Sequence, residues 1–310
     1  SSHPDHCFSY PPLLQPAAMT KFYGCYTALI TPFRDGKVDE QAFQALVEHQ
    51  ISEGVHGLVP CGTTGESPTL GHDEHERVIE LAVEAAAGRV PVMAGAGSNN
   101  TEEAIRFTQH AKRAGADAVL SVMPYYNKPG AAGQKAHFTA IADSADIPLF
   151  IYNIPGRSVV DMRDETLAEL AKHPNICGIK DATGDLARVS TLRQLVDTDF
   201  VLFSGEDVTA VGFNAQGGHG VISVTANIAP CAVSEVQNLT RAGDYKAALE
   251  LQDRLVPLHD VMFCEANPGP VKFAASLMGL CSADIRLPLL APEAGNQTRI
   301  RQAVEAFGLL

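Results

Sequence analysis

At 310 residues, with 45% hydrophobic and 19% charged side chains, the chain has the balance of a folded globular protein of one large domain or two ordinary ones, not of a disordered or fibrous one. Its 23 Lys and Arg against 36 Asp and Glu give a formal charge of -13, which opposes the phosphate contacts that drive nucleic-acid affinity. No apolar run approaches the roughly 20 residues that span a bilayer as a helix, so neither nucleic acid nor membrane is an expected partner.

Ser1 to Ala18 is rich in Pro and Ser and lacks a basic signal-like start; residues 1–18 are expected to be a disordered extension or an expression remnant. From Gly24 onward, short β-branched runs alternate with helical periods. Cys25 to Ile30 reads as a strand, and Phe43, Leu46, Val47 and Ile51 then recur at helical spacing. Val55 to Pro60 precedes a helix with Val78, Leu81, Ala82 and Ala85 on one face. Val90 to Ala94 precedes another that opens at Asn100, with Glu103 completing a capping-box pattern. Further strands are expected at Ala118 to Met123, Leu149 to Tyr152, Cys177 to Lys180, Phe200 to Phe203 and Gly220 to Val224, each followed by a helix-compatible stretch. About eight such units, at about 25 residues each, predict a (β/α)₈ TIM barrel over residues 19–227; a doubly wound open sheet is the rival. After Asn227, the segments Ala229 to Thr240, Tyr245 to Phe263, Val271 to Met278 and Gln297 to Phe307 are helical without strands between them. Residues 228–310 are therefore expected to form a C-terminal helical appendage.

Seven cysteines, an odd number without any CxxC spacing, fit reduced thiols and a cytoplasmic protein. In a barrel the chemistry sits at the C-terminal ends of the strands, where this sequence carries Gly, Thr, Tyr and one Lys. Those strand ends hold no paired His with metal-like spacing, there is no Walker loop, and Gly95-x-Gly97 lacks the third glycine of a dinucleotide fingerprint. No metal and no cofactor is expected.

Ile176, Cys177, Gly178 and Ile179 lead an apolar strand straight to Lys180. An amine desolvated there can attack a ketone to form a Schiff base; the plainer alternative is a snorkelling lysine paired with Asp181. Lys272, at the start of an apolar helix, is the rival lysine, with a solvent-facing or structural role expected. In Gly62-Thr63-Thr64-Gly65-Glu66, two glycines bracket two hydroxyls, so N–H and O–H groups can converge on a carboxylate, or the segment is a simple turn. Tyr126 and Tyr152 can relay protons when bonded to a hydroxyl such as Thr64, and Arg157 offers a fork for a second carboxylate; a buried tyrosine and a surface arginine are the ordinary readings of each alone.

Five segments carry a resemblance over about residues 19–310: Gly62-Thr-Thr-Gly-Glu66, Pro124-Tyr-Tyr-Asn-Lys-Pro129, Tyr152-Asn-Ile-Pro-Gly-Arg157, Gly178-Ile-Lys-Asp-Ala-Thr-Gly184 and Gly218-His-Gly-Val-Ile-Ser-Val-Thr-Ala-Asn227. In this order they resemble the dihydrodipicolinate synthase family, within the pyruvate-dependent class I aldolases that include N-acetylneuraminate lyase. The resemblance implies condensation of pyruvate with L-aspartate-4-semialdehyde to 4-hydroxy-tetrahydrodipicolinate, the first committed step of diaminopimelate and lysine biosynthesis. It implies Lys180 as the Schiff-base lysine and Tyr152, Thr64 and Tyr126 as a proton relay, with Tyr126 reaching into a neighbouring subunit of a homotetramer made as a dimer of dimers. It further implies Thr63, Thr64, Arg157, Gly205 and Ile222 as substrate-binding positions, with Arg157 orienting the semialdehyde.

The same resemblance implies feedback inhibition by lysine in a pocket of Ser67, His72, His75, Asn99, Glu103 and Tyr125. Taken alone, His72 and His75 are equally consistent with a solvated helix face, since Asp73, Glu74 and Glu76 surround them. Ser158-Val159 and Gly269 depart from the family pattern, and neither is expected to touch the catalytic set. Two rivals stay open: a related lyase or sugar-acid aldolase, against which Arg157 and Thr64 speak, and a non-catalytic ligand-binding paralogue, against which the complete relay speaks.

Overall fold

The computed structural model describes residues 21–310, so the expected extension at residues 1–18 lies outside the described residues. Strand β1 (Gly24–Ala28) is followed by a small hairpin, β2 (Phe33–Arg34) and β3 (Lys37–Val38). Then come α1 (Glu40–Ser52), β4 (Gly57–Val59), α2 (His72–Ala86), β5 (Met93–Gly95), α3 (Thr101–Ala114), β6 (Ala118–Val122), α4 (Ala131–Ser144) and β7 (Leu149–Asn153). Two helices, α5 (Pro155–Ser158) and α6 (Asp164–Leu170), precede β8 (Ile176–Asp181), α7 (Ala187–Leu195), β9 (Val201–Ser204), α8 (Ala210–Ala215) and β10 (Gly220–Ser223). Helices α9 (Pro230–Arg241), α10 (Tyr245–Val261), α11 (Gly269–Leu277) and α12 (Ala294–Phe307) complete the chain. No described helix is long and apolar enough to cross a membrane.

Eight parallel strands pair in the order β4-β1-β10-β9-β8-β7-β6-β5. The parallel bridge Leu58↔Val92, with the N–H of Gly95 donating to Pro60 O at 2.8 Å, brings the two ends of that order together and closes a TIM barrel. The open-sheet rival is thereby excluded. Strand limits move by one to three residues, in two cases for an identifiable reason. Pro91 has no N–H to give a ladder, so β5 starts only at Met93. At the end of β1, the N–H of Ile30 turns to Asn227 Oδ1 at 3.1 Å. Asn100 caps α3 through the N–H of Glu102, while Glu103 turns elsewhere, so the expected capping box does not form.

Alternation along each strand divides the core into two layers. Tyr26, Met93, Phe150, Val201, Phe203 and Ile222 fill the barrel interior. Phe22 closes it from one end, its ring 5.1 Å from that of Phe150. The other faces pack under the helices with Phe43, Leu46, Val78, Phe138 and Leu192. Each such buried side chain contributes roughly 1.5–3 kcal/mol. One outward-facing polar residue is satisfied by a helix: the Thr27 hydroxyl donates to Gln50 Oε1 at 2.6 Å, and Gln50 Nε2 donates to Ala226 O at 2.9 Å.

Candidate active site

Strands β7 and β8 run in parallel register with Phe150 opposite Gly178 and Tyr152 opposite Lys180. A Cβ on Gly178 would lie 2.4 Å from the Phe150 ring, so these even-numbered positions point into the barrel. Phe150 fills one interior layer, and Lys180 and Tyr152 occupy the next, towards the C-terminal mouth. Both are 7% exposed, and Lys180 Nζ lies 4.0 Å from the centroid of the Tyr152 ring. Lys180 enters no ion pair among the described residues. The alternative pairing with Asp181 fails because the next strand residue faces the opposite side: Asp181 Oδ1 accepts from the Thr183 N–H (2.8 Å) and hydroxyl (2.7 Å), and its other oxygen is 3.8 Å from Arg188 Nε. Arg188 also contacts Asp161 at 2.9 Å and Asp164 at 2.8 Å, so one guanidinium gathers three carboxylates behind the barrel wall. Burial pushes the Asp181 carboxyl up from its ordinary value despite these contacts.

The Gly62–Glu66 loop follows β4. Its N–H groups at Gly65, Glu66 and Ser67 bond back to Gly62 O, Thr63 O and Gly62 O. Those of Thr63 and Thr64 take no protein acceptor among the described residues, which leaves them available to an anion. The Thr64 side chain is buried, and its hydroxyl oxygen accepts from Asn267 Nδ2 at 3.0 Å. Among the described residues, the side-chain partner of Thr64 is Asn267 and not Tyr152. Asn267, two residues before Gly269, is not among the expected site residues, and its side chain reaches Thr64 directly.

Ile222, 1% exposed, faces the barrel interior in register with Tyr26. Gly205 donates its N–H to Asp181 O at 2.6 Å, and a Cβ there would meet the Ala182 Cβ at 2.6 Å, so only glycine fits the wall. It borders a cavity of about 380 Å³ that Ile154, Glu206 and Phe263 also line.

A second cavity, of about 390 Å³, brings together Ser67, His72, His75, Glu103 and Tyr125 with Thr63 and Arg157. Asn99 sits at its edge, donating from Nδ2 to Tyr125 O at 3.1 Å, and Asn127 Nδ2 donates to Asn99 O at 2.8 Å. His75 is not on a solvated face: it is 4% exposed, stacked on Phe107 with centroids 4.0 Å apart, and burial pushes its imidazole down to about 4. His72, half-exposed, pairs Nε2 with Glu103 Oε1 at 2.6 Å, and Ser98 Oγ donates to the other Glu103 oxygen at 2.5 Å. Arg157, exposed on α5, lines this cavity together with Thr63. Tyr126 is 89% exposed with φ 70°, a left-handed backbone uncommon for an aromatic residue, and does not pack under its own loop.

Lys272 is structural and not solvent-facing. It is 0% exposed, donates to Glu66 Oε2 and to Asp284 O at 2.6 Å each, and burial pushes its ammonium below the ordinary lysine value against the opposing pull of Glu66. Among the described residues, no group of three or more His, Cys, Asp or Glu is placed to hold a metal ion.

The chain matches the Dihydrodipicolinate synthetase family over residues 21–307. It is 59% identical to 4-hydroxy-tetrahydrodipicolinate synthase of Parvibaculum lavamentivorans over 93% of this chain and 99% of that protein. Among solved structures it is similar to the chloride-inhibited dihydrodipicolinate synthase of Acinetobacter baumannii complexed with pyruvate, with TM-score 0.91, 44% identity, and 93% and 99% of the two chains covered. It is likewise similar to the enzyme of Cyanidioschyzon merolae with lysine bound, with TM-score 0.91, 38% identity, and 94% and 100% covered.

Proposed function

The chain belongs to the dihydrodipicolinate synthetase family and has its aldolase-type lyase activity, forming 4-hydroxy-tetrahydrodipicolinate from pyruvate and aspartate semialdehyde; from that premise we propose which residues perform each step. Lys180 Nζ attacks C2 of pyruvate and, with loss of water, forms an imine. The pyruvate carboxylate is held by the Thr63 and Thr64 N–H groups and the Thr64 hydroxyl, against the wall made by Gly205 and Ile222. Loss of a C3 proton gives an enamine whose C3 bonds to the aldehyde carbon of the semialdehyde, and the new alkoxide takes up a proton. The amino group of the semialdehyde then displaces Lys180 from C2 and closes the ring. Tyr152 and Thr64 move these protons, with Tyr126 supplied by a second copy of the chain, and Arg157 orients the semialdehyde carboxylate.

The observation that carries this reading is the buried amine of Lys180, over the Tyr152 ring and out of ion-pair contact with any carboxylate. The left-handed backbone and near-complete exposure of Tyr126 support a contact with a second copy of the chain, and the active form we propose is a homotetramer, a dimer of dimers. The cavity of His72, His75 and Glu103, and the lysine bound by the Cyanidioschyzon merolae relative, support inhibition by free lysine. The free described cysteines fit a reducing cytoplasm. Borohydride treatment in the presence of pyruvate should add reduced pyruvate mass to the protein. Tyr152→Phe should keep that adduct while turnover falls roughly 10²–10⁴-fold. Wild-type turnover in this variant removes Tyr152 from the relay, and absence of an adduct on the wild-type protein removes the imine.

A further inference from the structure

Helix α11 and the residues before it touch the catalytic loop at two points. Asn267 Nδ2 holds the Thr64 hydroxyl at 3.0 Å, and the wholly buried Lys272 holds Glu66 Oε2 at 2.6 Å. The second Glu66 oxygen accepts the N–H of Arg286 at 3.0 Å. Glu66 itself has φ 58°, a left-handed conformation that a non-glycine residue keeps only where its surroundings impose it. Two residues upstream, Thr64 offers its hydroxyl and N–H to substrate. The Arg286 side chain continues the grip, donating to Thr69 O at 2.7 Å and to both Glu74 oxygens at 2.8 and 2.6 Å.

A buried ion pair is a weak source of net stability, since desolvation offsets most of the attraction, but it fixes position where only one arrangement satisfies both charges. Lys272 has no part in imine chemistry: its ammonium is held by the Glu66 carboxylate, the Asp284 carbonyl and the Phe33 ring, and it lies outside the barrel interior. We infer that the Lys272–Glu66 pair is a positioning element for the condensation, locking the left-handed turn at Glu66 so that the hydroxyl and free N–H of Thr64 stay aimed at the substrate. The inference rests on the catalytic role assigned to Thr64 above.

The test compares Lys272→Met, Glu66→Gln, the paired Glu66→Gln/Lys272→Met variant, Thr64→Val, and Thr64→Val with the pair, reading melting temperature, kcat and KM for pyruvate. Each single change at the ion pair strands a buried group and should lower the melting temperature. The paired variant, with neither charge, should recover most of it, so that the pair can be assayed in folded protein. Its kcat should nevertheless fall about 10–100-fold, as expected for a catalytic group moved by a fraction of an ångström to an ångström, with a smaller change in KM. In the Thr64→Val background the same paired change should cost less than about threefold, because the group it positions is already gone. Wild-type kcat in the paired variant, or an equal fall in both backgrounds, overturns the inference while leaving Thr64 catalytic. Wild-type turnover in Thr64→Val overturns the Thr64 role itself, and the inference with it.

Discussion

Two lysines are buried among the described residues, and they differ in almost everything but burial. Lys272 sits on a helix outside the barrel, its ammonium bound at 2.6 Å to both a carboxylate and a carbonyl. Lys180 sits on an inward strand position beneath an aromatic ring, with no ion-pair partner. The contrast separates two uses of a desolvated amine. Where a carboxylate meets it, the charge is fixed and the lysine becomes a strut; where none does, the amine is left for a carbonyl that enters the site. The same division recurs on α2, where half-exposed His72 pairs with Glu103 while buried His75 stacks on Phe107 with Nδ1 unbonded.

The strongest way to break the comparison is to remove each lysine in turn. Lys180→Ala should lose the borohydride-trapped pyruvate adduct and lower turnover by about 10⁴-fold or more, since no other step can proceed without the imine. The paired Glu66→Gln/Lys272→Met protein should still trap pyruvate to the wild-type extent. Mass spectrometry of the reduced proteins decides it, and an adduct on Lys180→Ala would exchange the two assignments.

The histidines sharpen the same rule through pH. Burial holds the His75 imidazole at about 4, against an ordinary value of 6.5. Above 6.5 the ring is neutral whether the chain is folded or unfolded. As pH falls from 6.5 towards 4 the unfolded chain takes a proton that the folded one refuses, so stability declines across that window and this contribution levels off below it. The full loss is on the order of 3 kcal/mol. Denaturant unfolding of wild type at pH 7 and pH 4 should show it, and His75→Gln should remove a loss of that size. His137, also pushed down to about 4 by burial, leaves a share that the variant does not change. An equal acid loss in both proteins would mean that His75 is protonated in the fold.

Much of this architecture is local in sequence and therefore legible there. The eight apolar runs and the helical periods between them needed only nearest-neighbour patterning, while strand limits moved, two of them at Pro91 and at the turn to Asn227. Lys180 was visible because a charge closing the run Ile176-Cys177-Gly178-Ile179 violates the pattern. What patterning cannot carry is which polar groups meet across the fold. Asn267 reaches Thr64 across 203 residues and Lys272 reaches Glu66 across 206, and nothing in either local segment encodes the other. The Glu103 side chain shows the complementary failure: its spacing from Asn100 suggested a helix cap, but Ser98 and His72 compete for the same carboxylate and hold it in the cavity.

That competition sets the smallest of the expected effects. The Ser98 hydroxyl, followed by His72, holds the Glu103 carboxyl below the ordinary carboxylate range, so it is anionic at neutral pH and faces the cavity beside Tyr125 and Ser67. An ammonium of free lysine entering there gains an acceptor that already has its partners ordered, and because Thr63 and Arg157 line the same cavity its binding reaches groups assigned to the substrates, with a coupling typically of about 1–3 kcal/mol. Titrating lysine at fixed pyruvate should therefore inhibit the wild type. Glu103→Ala should shift the half-inhibiting concentration about tenfold upward while lowering uninhibited turnover by less. Glu103→Gln keeps the shape and hydrogen-bonding reach without the charge, so if charge is what recognises the ammonium it should behave like the alanine variant rather than the wild type. A wild-type titration flat to millimolar lysine would sink the regulatory reading, and unchanged inhibition in Glu103→Gln would assign recognition to the cavity's shape instead of to its one paired carboxylate.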